Sequence, residues 1–134
     1  MEGPPTSSES ERELESVRDL ARIAARAASS KGGEDTVILE VVAILAICDA
    51  FVLTSGRNTR QVKTIAEEVE LQVKAAGGRA PLRVEGRETS EWVLLDYGDF
   101  VVHVFLDETR RFYELERLWR DAPLIEWESA TAER

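Results

Sequence analysis

The segment from Asn58 to Gly78 limits the possible folds most, because it has the pattern of a helix that is apolar on one side only. Asn58 is a good N-cap, Gln61 stands three residues later in capping-box position, and Gly77-Gly78 ends the pattern. Three- and four-residue spacing joins its apolar residues, which are Val62, Ile65, Ala66, Val69, Val73 and Ala76. Such a helix needs an apolar surface to pack against, which the rest of the chain must supply.

Stretches rich in β-branched residues, or with a period of two, indicate strands that form this surface. We predict strands at 36–42, 49–54, 81–84, 92–95 and 100–106. Residues 43–48 could extend either the first or the second of them. The segment Asp96-Tyr97-Gly98-Asp99 has hairpin chemistry and joins the last two strands.

Two further helices complete the prediction. The first begins at Ser10, is rich in alanine, and ends at Gly32-Gly33. Asp107 can cap the last helix, and Pro123 stops it. The apolar side of this last helix carries Phe112, Leu115, Leu118 and Trp119.

The resulting order, α-β-β-α-β-β-β-α, predicts a single α/β (α+β) domain with a mixed sheet of about five strands and helices packed on it. The domain spans residues 10–121. Residues 1–9 form a disordered N-terminal tail, since they contain little to bury, and residues 122–134 form an acidic C-terminal tail.

Charge and cysteine content exclude several classes of function. Asp and Glu outnumber Lys and Arg by 26 to 17, and the net charge of −9 argues against direct binding of DNA. It favours a partner with a basic surface, although acidity also simply aids solubility. The single cysteine, Cys48, lies in an apolar run and is expected to be a buried structural thiol, without a disulfide or a multi-cysteine zinc site.

No membrane association is predicted, because no apolar stretch is long enough to cross a bilayer. The polar and acidic stretch from Met1 to Glu15 has the composition of neither a secretory signal nor a transit peptide. A cytoplasmic location follows by elimination.

Nucleophilic and metal catalysis find little support in the sequence. The only histidine, His103, shares a strand face with Val101 and Phe105 and is expected to be a satisfied, partly buried imidazole. No Gly-x-Ser-x-Gly elbow accompanies it, and one His with one Cys cannot make a zinc site. We therefore expect no metal and no cofactor.

The turn Thr54-Ser55-Gly56 lies between a strand and a helix, as a nucleotide-binding loop does. No P-loop lysine and no Gly-x-Gly-x-x-Gly motif accompany it. Asp96 and Asp99 are three residues apart across a turn, so the strand period does not align them as a metal-binding pair. A nucleotidyltransferase using Ser55, Gly56 and one or more of Asp49, Asp96 and Asp99 remains the enzyme alternative.

Trp92 lies on the strand that leads into the acidic turn. A tryptophan beside acidic residues suits a protein interface, because it offers a large contact area at low entropy cost. Trp92 could equally be a core or edge aromatic. Besides a binding protein and an enzyme, the third alternative for the chain is a plain dimerisation module.

Several segments of the chain together form a recognisable signature. The strongest is Glu91-Trp92-Val93-Leu94-Leu95-Asp96-Tyr97-Gly98-Asp99, followed by Val101-Val102-His103-Val104-Phe105. The others are residues 110–119 (RRFYELERLW), 49–56 (DAFVLTSG), 58–62 (NTRQV) and 84–86 (VEG). Together these segments resemble the Iojap-like ribosomal silencing factors. The resemblance covers about residues 14–121, in the family's order and spacing.

This resemblance implies a fold similar to nucleotidyltransferases without their catalytic acids, and a binding protein rather than an enzyme. It implies binding to the large ribosomal subunit at its fourteenth protein, which blocks joining of the small subunit and lowers translation when nutrients are scarce. It also implies a possible homodimer. The family's ribosome-facing tryptophan corresponds to Trp92, and the adjoining hairpin positions correspond to Asp96, Tyr97 and Asp99.

Overall fold

The computed structural model describes residues 7–41, 48–114, 117 and 120–128, and its elements follow the predicted order. The helices are α1 (Ser7–Ser30), α2 (Thr59–Ala75) and α3 (Asp107–Tyr113). The strands are β1 (Glu34–Glu40), β2 (Ala50–Gly56), β3 (Arg83–Glu85), β4 (Trp92–Asp96) and β5 (Phe100–Leu106).

The five strands form one mixed sheet in the order β1-β2-β5-β4-β3, as the predicted fold class requires. Strands β2 and β5 are parallel neighbours at its centre. The other three pairs, β1-β2, β4-β5 and β3-β4, are antiparallel. None of the described helices has the length and apolar character needed to cross a membrane.

Helices α1 and α2 cover one face of the sheet and form the main core with it. Helix α1 contributes small side chains, which allow close approach: Ala21, Ala24, Ala25 and Ala28 are fully buried. Helix α2 contributes the predicted apolar stripe, Val62, Ile65, Ala66, Val69 and Val73. The sheet supplies alternate residues of β4 and β5, Val93, Leu95, Val102 and Val104.

The start of α2 is fixed by the predicted capping residues. Asn58 is the N-cap, and its side chain accepts a hydrogen bond from the Gln61 backbone N at 2.8 Å. The Gln61 side chain accepts in turn from the Arg57 backbone N at 2.7 Å. Its Nε2 also donates to the carbonyl oxygens of Lys31 and Gly32, which ties α2 to the end of α1.

Some predicted boundaries differ from the structure. Helix α1 begins at Ser7 rather than Ser10, inside the predicted N-terminal tail, where acidic residues favour a helix start. Asp107 is the first residue of α3 and not its cap; Leu106 takes the N-cap position, and Asp107 pairs with Arg111 instead.

One predicted strand is shifted: the short strand predicted at 81–84 is β3, at 83–85.

Other predictions fall partly outside the described residues. The undecided segment 43–48 is described only at Cys48, which is a buried free thiol, as predicted. Leu115, Leu118 and Trp119 of the predicted last helix are not among the described residues.

Residues 122–128, in the predicted C-terminal tail, lie along the outer edge of β1. Leu124 forms an antiparallel bridge with Leu39, and the Ile125 N donates to the Ile38 carbonyl oxygen at 2.9 Å. The Trp127 indole N donates to a β1 carbonyl at 3.0 Å. Two arginines of α1 donate to carbonyl oxygens of this segment, Arg22 to Glu126 and Arg26 to Trp127. The described part of the tail is thus packed on the domain.

Candidate interaction surface

The sheet face opposite α1 and α2 carries a different kind of side chain. Alternation along the central strands places an aromatic-rich set there, which we name the aromatic face: Phe51, Leu53, Trp92, Leu94, Val101, His103 and Phe105. Along β4 the predicted alternation is confirmed, with Val93 and Leu95 fully buried and Trp92 and Leu94 half-buried. The aromatic face is therefore accessible at β4.

The start of β4 is held in place by its neighbours. Gly86 has φ +88°, and a Cβ added there would lie 2.0 Å from the carbonyl oxygen of Trp92, so this approach needs glycine. The Ser90 N donates to the Gly86 carbonyl oxygen at 2.9 Å, and the Leu106 N donates to that of Glu91 at 2.8 Å. Trp92 thus projects from a well-anchored backbone.

The Trp92 indole is surrounded by other rings on its inner side. Its ring centroid lies 4.9 Å from that of Phe105, 5.5 Å from Tyr113 and 6.1 Å from His103. Its Nε1 donates a hydrogen bond to the Nδ1 of His103 at 3.1 Å. The ring is thus packed and paired within the protein, while Trp92 as a whole remains half-buried.

An open cleft of about 470 Å³ lies beside Trp92, between β4 and α3, and we name it the aromatic cleft. Phe112 and Tyr113 of α3 line it and remain 77% and 52% exposed. Glu91 and Glu108 add carboxylates to the same cleft. Exposed aromatic rings beside acidic groups are suited to contact a partner with apolar and basic side chains.

Phe112 was predicted on the apolar side of the last helix, but its side chain is 77% exposed, and Tyr113 was not among the predicted site residues. Two adjacent residues on a helix can both reach the core, as Ile65 and Ala66 do on α2, so the sequence gives no clear signal that these two rings are exposed. The rings form a surface only because α3 follows β5 directly and places both of them beside Trp92.

His103 is the buried polar group of the aromatic face, with 8% of its surface exposed. Burial lowers the pKa of its imidazole to about 4, so the ring is neutral near pH 7. Its Nδ1 accepts from Trp92, whereas its Nε2 has no hydrogen-bond partner among the described residues. The predicted satisfied imidazole is therefore confirmed at one nitrogen only.

The structure separates Trp92 from the acidic turn. Trp92 begins β4 and Asp96 ends it, which puts their backbones about 13 Å apart at roughly 3.3 Å per residue. Asp96 does share the face of Trp92. Its carboxylate accepts from the Gly98 N at 2.9 Å and pairs with Arg83 at 3.4 Å. Asp96 thus shapes the turn, as a turn-forming aspartate does.

Tyr97 lies on the other side of the sheet. It is only 3% exposed, belongs to the main core, and stacks on Phe100 with centroids 4.8 Å apart. A side chain this buried offers almost no contact area to a partner. We therefore assign Tyr97 to the core and no longer to the predicted partner-binding residues. Asp99 is exposed in the turn, and its carbonyl oxygen accepts from the Asp49 N at 2.8 Å.

The groups proposed for the enzyme alternative are not assembled. Ser55 is fully buried near the end of β2, and its hydroxyl accepts from the Arg110 guanidinium at 2.8 Å. Asp49 precedes the start of the same strand, about 20 Å away along the chain, and Asp99 lies beside Asp49. Within the described residues, no group of three or more His, Cys, Asp or Glu side chains could hold a metal ion.

A helix-backed mixed sheet with a half-buried tryptophan and an aromatic cleft on its other face defines a single domain of the α+β class. Comparison with known proteins identifies its family. Residues 14–134 match the family described as ribosomal silencing factor during starvation. This match extends beyond residue 121, where the resemblance was predicted to end, and includes the segment that packs on β1.

Individual relatives agree with this match. The chain is 41% identical to the ribosomal silencing factor RsfS of Halalkalibacterium halodurans over 113 residues, which cover 84% of this chain and 96% of that protein. It is 38% identical to RsfS of Bacillus subtilis over 109 residues, 81% of this chain and 92% of that protein.

A crystal structure of a Chromobacterium violaceum protein superposes with a TM-score of 0.73 at 34% identity, covering 78% of this chain and 86% of that one. The chain belongs to the ribosomal silencing factor family, and the predicted resemblance is confirmed. Family members are ribosome-associated regulators and not enzymes.

Proposed function

We propose that the aromatic face around Trp92 docks on the fourteenth protein of the large ribosomal subunit. The bound domain then blocks joining of the small subunit and lowers translation when nutrients are scarce. The observation that carries this proposal is the grouping of half-buried Trp92 with exposed Phe112 and Tyr113 around one cleft. Clustered aromatics of this kind dominate the energetics of many protein interfaces.

Charge supports a basic partner. The chain has a net charge of −9, and Glu91 and Glu108 line the aromatic cleft itself. Opposite charges across an interface speed association and orient the partners. We propose Asp96 and Asp99, at and beyond the far end of β4, as outlying charges that contact the same basic partner.

The mechanism is steric and needs neither a cofactor nor a metal. A domain of 134 residues has a radius of gyration of about 14 Å. A body of this size bound on the inter-subunit face occupies space that the small subunit needs. We propose that it acts in the cytoplasm, in keeping with its bacterial relatives.

Trp92→Ala tests the docking surface. We expect large-subunit binding to weaken roughly thirtyfold, as for a typical interface tryptophan, with loss of silencing. Co-sedimentation with purified large subunits measures binding, and thermal unfolding of the same variant measures stability. A strongly lowered melting temperature would show that Trp92 is a core residue. An unchanged melting temperature together with unchanged binding would show that Trp92 is not part of the docking surface.

Trp127 provides a matched control. It is also half-buried and also donates its indole hydrogen bond, but it packs on the main core beside β1. Trp127→Ala is therefore expected to lower stability without a specific loss of large-subunit binding. Equal binding losses in the two variants would contradict a specific role for Trp92.

We also propose that the chain forms a homodimer. The β3 edge is short, Leu82 beside it is 61% exposed, and among the residues that the structure describes β3 pairs with β4 alone, so its other side can accept a partner. A stable dimer would bury on the order of 1,000 Å² or more between its two chains. Light scattering at micromolar concentration tests the proposal, and a monomeric mass would contradict it.

A further inference from the structure

We propose that His103 is a positioning residue for docking: it accepts the indole hydrogen bond of Trp92 and thereby fixes which surface of the indole meets the partner. The proposal rests on the docking function above, and it concerns a residue that lies beneath the contact surface. His103 is 8% exposed, whereas Trp92 is half-buried.

The geometry holds the imidazole as firmly as it holds the indole. His103 pairs across the sheet with Leu94 on β4 and with Leu53 on β2, so its backbone is fixed from both sides. Its ring meets Phe51 edge-on with centroids 4.8 Å apart, and lies within 8° of parallel to Phe105 at 5.9 Å. A ring packed in this way presents its Nδ1 in one fixed direction.

The hydrogen bond also fixes the protonation of the imidazole. An indole Nε1 can only donate, so the Nδ1 that receives it must carry a lone pair. The proton of the neutral ring is then on Nε2. Burial keeps the ring uncharged, because it lowers the pKa of His103 to about 4, and the hydrogen bond from Trp92 then selects the tautomer.

The consequence for docking follows from where the indole N–H points. A tryptophan whose N–H faced outward would need an acceptor from the partner, or leave a donor unpaired on burial. Here the N–H is already paired inside the protein. The partner therefore meets an apolar ring surface next to Tyr113, and no polar group of Trp92 is lost from water on binding.

Two variants separate the hydrogen bond from simple packing. His103→Asn keeps an acceptor, since the asparagine Oδ1 can stand where Nδ1 stands, whereas His103→Leu fills space without one. In ¹⁵N–¹H spectra we expect the Trp92 indole resonance to stay close to its wild-type position in His103→Asn. In His103→Leu we expect it to shift and exchange faster with solvent. Trp92→Phe assigns the resonance among the three tryptophans.

Binding to large subunits gives the second measurement. We expect His103→Leu to weaken co-sedimentation about fivefold, as for loss of one neutral hydrogen bond, and His103→Asn to restore most of it. Equal binding by the Leu variant and the wild type would overturn the positioning role alone. Wild-type binding by Trp92→Ala would overturn the docking function, and the positioning role with it.

The wild-type protein provides a test that does not depend on the folding of either variant. Long-range ¹⁵N–¹H correlation of the imidazole distinguishes the two neutral tautomers. We expect the proton on Nε2 and an unprotonated Nδ1. A proton on Nδ1 would exclude acceptance from Trp92 and overturn the proposal.

Discussion

The two faces of the sheet differ in the side chains they present and in how completely those side chains are covered. The helix-covered face is mostly aliphatic, with the stacked Tyr97 and Phe100 at one end, and Val93, Leu95, Val102 and Val104 on it are fully or almost fully buried. The aromatic face carries rings, one buried imidazole and half-buried residues at β4. Leu53 and Phe105 on the aromatic face are also buried, so the two faces differ mainly at β4, where the aromatic face keeps a partly exposed tryptophan. Each of the following predictions tests this division.

The largest expected difference is between two neighbouring leucines of β4. Leu95→Ala removes a fully buried side chain from the helix-covered face and should lower the free energy of unfolding by about 2–5 kcal/mol. Leu94→Ala, on the aromatic face, should lower it by about 1 kcal/mol, because Leu94 is only half-buried. Urea denaturation measures both, and equal losses would show that the two faces share stability evenly.

Acid pH should weaken the aromatic face through His103. The pKa of its imidazole is about 4 in the folded chain, against an ordinary value of 6.5 for the unfolded chain, because burial disfavours the charged ring. Above pH 6.5 its contribution to stability is fully present; as pH falls from 6.5 to 4, the unfolded state takes up a proton first and the contribution is lost. The loss is at most about 3 kcal/mol.

His103→Asn isolates this contribution, since asparagine does not titrate in this range. The stability difference between wild type and variant should therefore change between pH 6.5 and 4 and be constant above about pH 7. Denaturant unfolding at a series of pH values measures it. Parallel pH profiles for the two proteins would mean that His103 is not buried as a neutral ring.

The cap of α2 belongs to the helix-covered side. Asn58→Ala removes the acceptor for the Gln61 N and should lower the free energy of unfolding by about 1 kcal/mol. Asn58→Asp keeps an acceptor and serves as the control. Large-subunit binding by folded Asn58→Ala should equal that of the wild type, and a specific binding loss would extend the docking surface to the helix layer.

The smallest effect is expected at the acidic turn. Asp96→Asn and Asp99→Asn should each change binding by less than about 1 kcal/mol, with larger losses at low salt than at high salt, because exposed charges are screened. Glu67→Gln on the exposed side of α2 is the matched control. Co-sedimentation over a range of salt concentrations measures the effect, and identical salt profiles for all three variants would remove the turn from the surface.

Much of the difference between the two faces of the sheet could be predicted from the two-residue alternation of side chains along the strands. Alternation along β4 correctly separated Trp92 and Leu94 from Val93 and Leu95. The same alternation continues to Tyr97 and puts it with Leu95 in the core, so its burial was also present in the pattern. Asp96 and Asp99 are also typical turn residues, and this second pattern favoured an exposed turn at Tyr97.

Other features could not be predicted because they depend on contacts between distant parts of the chain. Arg110 reaches Ser55 only once α3 is placed beside β2, and no local pattern links the two residues. The segment after Ala122 joins the β1 edge through backbone hydrogen bonds, which leave no trace in side-chain periodicity.

The parallel pair at the centre of the sheet has a consequence for how fast the chain folds. Strands β1 and β2 on one side, and β3, β4 and β5 on the other, pair antiparallel within short lengths of sequence. Among the strands that the structure describes, the β2-β5 pair, from Ala50 with Phe100 to Gly56 with Leu106, joins the two groups. Closing the long loop between β2 and β5 costs conformational entropy before the contacts between these strands can offset it. Formation of the β2-β5 pair is therefore expected to limit the folding rate. Trp92, His103 and Phe105 lie within the local β4-β5 pairing and are expected to meet before this step, whereas Phe51 on β2 contacts the His103 ring only when the two groups of strands join.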